Sequence, residues 1–362
     1  MDRPPPLNRL NRRLISPRRW TPPAAPANAG RTAATTRMVV ERRIAAGGHG
    51  PEDVVFDRDG QVLAGLADGT IVRFDPAAGT RSVVGSTGGR ALGLEPCADG
   101  SILICDHDRG LLRMSAAGAV EVLVDTFDGR PLTFASNVVQ GPDGTIWFTV
   151  SSRRWDFEHY LGDFIEHSGT GLLMRRDPDG AVTVLRDGLK FANGLVLAPD
   201  GSHLLVAETA GYRISRYWLT GPKAGTVEPF ADNLPGLPDN LSLGGDSLVW
   251  AALVAPRNRL LDRLLPLPGF LRVLVWNLPE AVQPKPPIVG WVMAFDLSGR
   301  LVHDLRTDDG SYGFVTGVAE YQGTVVVGSV EADGIAVVSA AAAQASSTAR
   351  TAGEGGPGGT AR

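Results

Sequence analysis

The sequence predicts an all-β protein, a six-bladed β-propeller. Three observations carry the prediction: a recurrent Asp-Gly-type turn between two apolar runs, a near-constant spacing of those turns, and a composition rich in Gly and Pro. The turns lie in FDRDGQVLAGL, PCADGSILICD, GPDGTIWFTV, APDGSHLLVAE, LGGDSLVWAAL and EYQGTVVVGS. Their glycines, Gly60, Gly100, Gly144, Gly201, Gly245 and Gly323, are 40, 44, 57, 44 and 78 residues apart. The gap of 57 carries a polar, aromatic loop, RRWDFEHYLGDFIEHSG, and the gap of 78 an apolar segment over 256–287. Without these insertions the gaps return to about 40 and 46 residues, the length of a four-stranded blade. With 43% hydrophobic residues in 362, the chain can bury a full core, and Gly 45 and Pro 26 exceed what a helical protein uses.

The N-terminal 1–36 holds seven Arg against one Asp and few large apolar residues, and reads as a disordered, basic, Pro-rich tail. The propeller is expected over 37–338, followed by a second disordered tail over 339–362, rich in Ala, Gly and Ser. A net charge of -4 combined with tails of about +6 and +1 leaves a body of about -11, which repels phosphate backbones and argues against a nucleic-acid partner. Val39–Ile44 (VVERRI) is a strand-like run before the first blade. A ring of blades must cover its last sheet edge, so this run is predicted to pair into the last blade.

Cys97 and Cys105 flank an Ala-Asp-Gly turn and are expected to be reduced core thiols, consistent with a cytoplasmic protein. The Arg- and Pro-rich start has no apolar stretch of signal-peptide type, and no run of 18 apolar residues predicts a spanning helix. The insert over 256–287 has Leu at helical spacing, and Pro266 and Pro268 split it into two short helices in the region between the fifth and sixth blades. It is expected to cap the propeller, or to act as a lid that also makes peripheral contact with a membrane surface.

The candidate site comes from position before the turns. The innermost strand of each blade starts near the central channel, so residues just ahead of these strands converge. Glu52 lies eight residues before Gly60, Asn137 seven before Gly144 and Asn193 eight before Gly201, while the fifth blade has Asp239-Asn240. Any one of these could simply shape a turn, and Asn193-Gly194 is a favoured tight-turn pair. Turn chemistry, however, gives no reason for matched carboxylates and amides in four blades. Together they form an all-oxygen donor set without sulfur or imidazole, which suits Ca²⁺ and suits Zn²⁺ poorly.

The stretches GPEDVVFD, FASNVVQGPDGTIWFT, FANGLVLAPDG and LLVAETAGYRISRYWLTGPKAGTVEPFADNLPGLPDN resemble the strictosidine synthase-like family, within the six-bladed superfamily of gluconolactonases (senescence marker proteins), paraoxonases and diisopropylfluorophosphatases. The resemblance covers 48–338 and implies a calcium-dependent hydrolase fold, with Glu52, Asn137, Asn193 and Asp239 as metal ligands and Asn240 as a further one. Two positions depart from the pattern. Thr316 stands where strictosidine synthases carry their catalytic Glu, which disfavours a Pictet-Spengler condensation because Thr cannot supply the carboxyl group. Val150 stands where the family usually has Asp. His107, in LICDHDRG, falls at one position of the paraoxonase His pair, and its partner position falls near Arg90, so the dyad is incomplete.

The resulting expectation is a Ca²⁺-dependent hydrolase of lactones or other esters, including aryl esters, with Asp239 as base or nucleophile and His107 as a further catalytic candidate. The alternatives are an organophosphate hydrolase at the same site, a non-catalytic calcium-stabilised binding propeller, and the condensation that Thr316 disfavours. The loops 153–168 and 256–287 and the turn around Ser311–Phe314, with Trp155, Phe157, Tyr160, Phe270, Trp276 and Phe314, are expected to line an apolar substrate pocket.

Overall fold

The computed structural model describes residues 14–29, 36–278 and 286–340. Among the described residues the strands form four four-stranded antiparallel sheets, one eight-stranded sheet and a two-stranded hairpin, Thr126–Phe127 with Arg130–Pro131. The larger sheet is two four-stranded units joined where Thr36–Arg37 pairs in parallel with Leu305–Arg306. The units follow one another along the chain as blades 1 to 6, whose first strands are Val54–Phe56, Ala91–Pro96, Ala135–Gln140, Ala192–Leu197, Gly236–Leu243 and Val315–Tyr321. Each first strand lies against that of the next blade, and the last lies against the first, which makes the ring of a β-propeller.

The turn from first to second strand repeats the same chemistry in blades 1 to 5, whereas blade 6 turns through Gln322-Gly323, both at left-handed φ, without an Asp. An Asp side chain accepts backbone N–H bonds two residues on, as Asp143 does from Thr145 and Asp200 from Ser202. The following glycine takes a left-handed φ, as at Gly60, Gly100, Gly144 and Gly201. In blade 5 the left-handed residue is Ser247, at φ 62°, and not Gly245. The bonds Gly244 N–H to Leu248 O and Ser247 N–H to Gly244 O match those of Gly141 and Gly144 in blade 3, so the equivalent mark is Ser247. Measured from it, Asp239 is eight and Asn240 seven residues ahead, the same offsets as in the other blades.

The core lies between the blades. Cys105 and Leu111 of blade 2 pack with Val138 and Phe148 of blade 3, and Leu205 and Ile214 of blade 4 pack with Leu253 and Trp291 of blade 5. Both cysteines are buried and free. The N-terminal strand Thr36–Ala45 closes blade 6, running antiparallel to Gly334–Ala340 from Met38 opposite Ala340 to Ala45 opposite Gly334. Each end of the chain thus supplies the edge the other lacks.

Two insertions leave the ring at the same place in their blades, between second and third strands. In blade 3 the insertion carries helix α1 (Leu161–Glu166). In blade 5 it carries α2 (Arg259–Leu264) and α3 (Gly269–Trp276), divided near Pro266 and Pro268. The apolar insert therefore sits inside blade 5, not between the fifth and sixth blades as the turn spacing suggested. Both flanking turns join first to second strands, so the gap of 78 does not say which intervening connection is lengthened. Second strands run antiparallel to first strands, so both insertions emerge at the end of the ring where the first strands begin.

The N-terminal residues 14–29 are also part of the structure, although composition places them in a disordered tail over 1–36. A Pro-rich extended chain makes few hydrogen bonds to itself, so its carbonyls are free for other donors. Arg154 donates to Leu14 O, Arg272 to Arg18 O and Arg257 to Pro23 O. Trp20 stacks on His167, with ring centroids 4.3 Å apart at 14°. The segment is a strap across the two insertions. Of the C-terminal tail expected over 339–362, all beyond Ala340 lies outside the described residues. Among the described residues no helix is long and apolar enough to cross a membrane.

Candidate metal centre

The start of each inner strand is irregular, and the irregularity aims the site. In blade 3 the pairing register shifts between Ala135 and Val138, in blade 4 between Ala192 and Leu195, and in blade 5 between Pro238 and Leu241. The residues inside these bulges are Ser136-Asn137, Asn193-Gly194 and Asp239-Asn240. A bulge re-aims a side chain out of the ordinary alternation, and here it sends them to the channel. Glu52 arrives from the segment just before the first strand of blade 1, with its N–H bonded to Gly65 O at 3.3 Å.

All five predicted ligand residues are buried, and hydrogen bonds tie them together. Asn240 Nδ2 donates to Glu52 Oε1 at 3.1 Å, and Asn137 Nδ2 to Asn240 Oδ1 at 3.1 Å. Asn193 Nδ2 donates to Asp239 Oδ1 at 2.6 Å, while Asn193 Oδ1 accepts from Ser136 Oγ at 3.0 Å. Sequence reasoning missed Asp53, whose Oδ2 accepts from Asn137 Nδ2 at 3.3 Å and from Leu94 N–H at 3.2 Å. Its signal was adjacency to Glu52 in GPEDVVFD. It also missed Thr149, which accepts from Asn137 N–H and donates to Asn193 O, locking the two bulges together.

Three buried carboxyl groups, Glu52, Asp53 and Asp239, are therefore close enough for the charge of Glu52 to act on the other two. Burial pushes Glu52 up to about 7, against the opposing pull of the Arg90 charge and the Asn240 hydrogen bond. Burial, followed by the charge of Glu52, raises both Asp53 and Asp239 well above the carboxylate range. Glu52 Oε2 is buried without any hydrogen-bond partner. An orphaned carboxylate oxygen amid further carboxylates and amides is what a hard cation with six to eight oxygen ligands would satisfy. The residues present thus fit Ca²⁺.

Close approach between inner strands holds the ring tight. Gly194 is not a tight-turn glycine: its φ is not left-handed, and it lies within the inner strand. Glycine is needed because a Cβ there would meet Leu241 N at 2.3 Å and Asp239 O at 2.6 Å. Blade 2 has Leu92-Gly93 in its equivalent bulge, and a Cβ at Gly93 would lie 2.5 Å from Asn137 Cα. That blade thus offers an apolar side chain and a bare backbone in place of a ligand. In blade 6, Thr316 Oγ1 donates to Glu52 O at 2.6 Å, so the residue at the strictosidine synthase Glu position fixes the backbone of a metal-ligand candidate. Val150 is fully buried in the core between blades 2 and 3.

Above this ring lies an apolar wall of Leu92, Phe134, Phe164 and Phe191, with Phe157 and Leu237 beside it. Phe134 and Phe191 hold left-handed φ of 60°, immediately before the bulges of blades 3 and 4. Of the predicted pocket aromatics, Phe157 joins this wall, Trp155 is buried against Trp276, and Phe270 is exposed. His107 is not in the hydrogen-bonded cluster. Its Nε2 accepts the Phe157 N–H at 3.4 Å, and its ring lies edge-on to Phe134 and Phe157. Burial lowers its pKa, with the charge of Asp108 opposing. On the mouth loop, Asp156, Glu158 and His159 bring ligand atoms within 4.8 Å of one another, but His159 is already paired with Asp156 at 2.6 Å.

Comparison with known proteins places the chain. Residues 137–222 match the strictosidine synthase family model, and residues 34–74 match the strictosidine synthase-like N-terminal model. Protein strictosidine synthase-like 13 of Arabidopsis thaliana is 32% identical over 296 residues, covering 72% of this chain and 73% of that protein. The chain belongs to the strictosidine synthase-like family. Strictosidine synthase-like 4 of the same plant is 34% identical over 212 residues, and there the match spans 57% of this chain and little more than half, 56%, of the relative. The rat (Rattus norvegicus) adipocyte plasma membrane-associated protein is 30% identical, covering 78% of this chain and 81% of that protein. The fold is shared with a Xanthomonas campestris gluconolactonase (TM-score 0.60, 17% identity, 89% of this chain and 99% of that one) and with regucalcin, a calcium-binding protein of Agrobacterium tumefaciens (TM-score 0.57, 17% identity, 82% and 87%).

Proposed function

We propose that the protein is a calcium-dependent hydrolase of lactones or other esters. The observation that carries this reading is the convergence of Glu52, Asn137, Asn193, Asp239 and Asn240 from four blades into buried, hydrogen-bonded contact, with an unpartnered Glu52 Oε2. A Ca²⁺ held by these residues would supply Lewis-acid polarisation of the scissile carbonyl. The chain supplies the rest. Asn193 orients Asp239 through a 2.6 Å hydrogen bond, leaving that carboxyl to take a proton from water or to attack the carbonyl carbon. The apolar wall of Phe134, Phe164 and Phe191 seats the body of the substrate and excludes bulk water. Gluconolactonase and regucalcin among the structures sharing the fold support a hydrolase and a calcium site, respectively. Thr316, spent on the Glu52 carbonyl, argues against the condensation reaction.

The test is calcium removal on a purified sample assayed against aryl esters and lactones, with a phosphotriester panel alongside to decide between ester and organophosphate substrates. Chelation should abolish turnover and lower the melting temperature, calcium at about 100 times its Kd being worth about 2.7 kcal/mol. Turnover that survives complete calcium removal would sink the proposal.

A further inference from the structure

The mouth of the site carries one residue that the hydrolase reading does not use. Arg90 directly precedes Ala91, the first paired residue of the inner strand of blade 2, opposite Asp106. In blades 3, 4 and 6 the same register position holds Phe134, Phe191 and Phe314, each preceding the first paired residue of its inner strand. Blade 2 thus offers a cation where three other blades offer an aromatic ring, on the side of the site where Glu52 and Arg90 feel each other's charge.

The guanidinium is held but not paired. Its Cζ lies 4.0 Å from the centroid of the Phe157 ring, which also packs against His107. Its Nε is buried with no hydrogen-bond partner, and among the described residues the group makes no ion pair. Burial lowers its pKa, opposed by the charges of Glu52, Asp108, Glu158 and Glu331, none of which bonds to it. A guanidinium stacked by its face on an aromatic ring keeps its N–H edge available, and that edge matches a carboxylate in bidentate geometry. Leaving the buried Nε donor unused is costly unless a ligand completes it.

We infer that Arg90 selects substrates bearing a carboxylate, which it holds at the channel mouth while the ester group reaches the oxygen cluster. The inference rests on the hydrolase reading for the ester, but not for the anion. It is a specificity role, and the chemistry remains with the metal-side residues.

Two readouts test it in calcium-containing buffer. The first is calorimetric binding of benzoate and of benzyl alcohol, its neutral counterpart, to the wild type, Arg90→Lys and Arg90→Gln. Benzoate affinity should fall about 10- to 100-fold in Arg90→Gln, as expected for loss of a charged hydrogen-bonded pair, and less in Arg90→Lys, with benzyl alcohol unchanged. The second is turnover of 4-acetoxybenzoate against phenyl acetate, which should show a KM rise for the anionic ester alone. Equal benzoate affinity in wild type and Arg90→Gln, or no benzoate binding to the wild type, overturns the inference. Arg90-dependent benzoate binding without turnover of these esters or of any lactone in the panel overturns the hydrolase reading and leaves this one standing. Unchanged melting temperatures, and Arg90→Lys as the charge-conserving control, separate either result from misfolding.

Discussion

The ring of inner-strand starts and the cover above it are built by different rules. The ring is a repeat: a similar turn and the seven- or eight-residue offset recur around the channel, with the inner-strand bulge in blades 2 to 5, while the side chain at the offset changes. The cover is made once, from the strap 14–29, α1 and α3. It is joined by contacts between segments more than 100 residues apart, such as Arg272 to Ile165 O and Glu166 O. A repeated frame places chemical groups rigidly, whereas a single-copy cover can vary its substrate preference without disturbing them.

That contrast can be broken at the ring first. Glu52→Gln removes a carboxylate from the cluster while keeping its shape, and turnover should fall at least ~10²-fold, with the calcium-induced rise in melting temperature shrinking in parallel. A variant with full activity would mean the cluster is structural only. Gly194→Ala attacks the frame itself. The new Cβ meets the backbone of blade 5 at 2.3 Å, and denaturant melts should record a loss of about 3 kcal/mol for the whole propeller.

The cover should respond locally. Arg272 is fully buried and satisfies the last carbonyls of α1 as well as Arg18 O. Arg272→Met should cost about 2 kcal/mol, read as faster amide exchange in 153–168 and 14–29, with blade strands unaffected. Uniform loss of protection across the blades would instead make the cover part of the propeller's cooperative unit.

The smallest effect concerns pH. Burial, reinforced by Lys190 and Arg272, pushes His167 down to about 3, while the unfolded ring titrates near 6.5. A folded pKa below the unfolded one means this contribution is whole above about pH 6.5 and is lost as pH falls toward 3, at about 1.4 kcal/mol per unit. Between pH 7 and pH 5 the wild type should lose up to about 2 kcal/mol more than His167→Asn, which tolerates the left-handed φ of 56° at that position. Parallel pH profiles for the two proteins would place His167 in contact with water.

How much was legible follows the same division. Glu52, Asn137, Asn193, Asp239 and Asn240 could be found because each stands at a fixed distance from a turn that shows itself in sequence. Even the misplaced mark at Gly245 did not hide Asp239, since the turn of blade 5 differs by only two residues from Ser247. Asp53, Thr149 and Ser136 escaped because their roles lie in what they bond to across blades, and single residues between repeats carry no such information. The strap escaped for a related reason. Composition measures whether a segment can form its own core, and Leu14–Ala29 cannot, but it can borrow partners from Arg154, Arg257 and Arg272.

The sequence by itself determined the repeat, the blade strands and the polar residue offered at each inner-strand start, because these depend on turn chemistry and short-range periodicity. Only the tertiary structure decided that those residues meet in buried, hydrogen-bonded contact, that Gly194 is required by the neighbouring blade rather than by its own turn, and that Arg90 stands unpaired where three other blades have an aromatic ring. Each of these is a distance between segments far apart in the chain, set by how the ring closes.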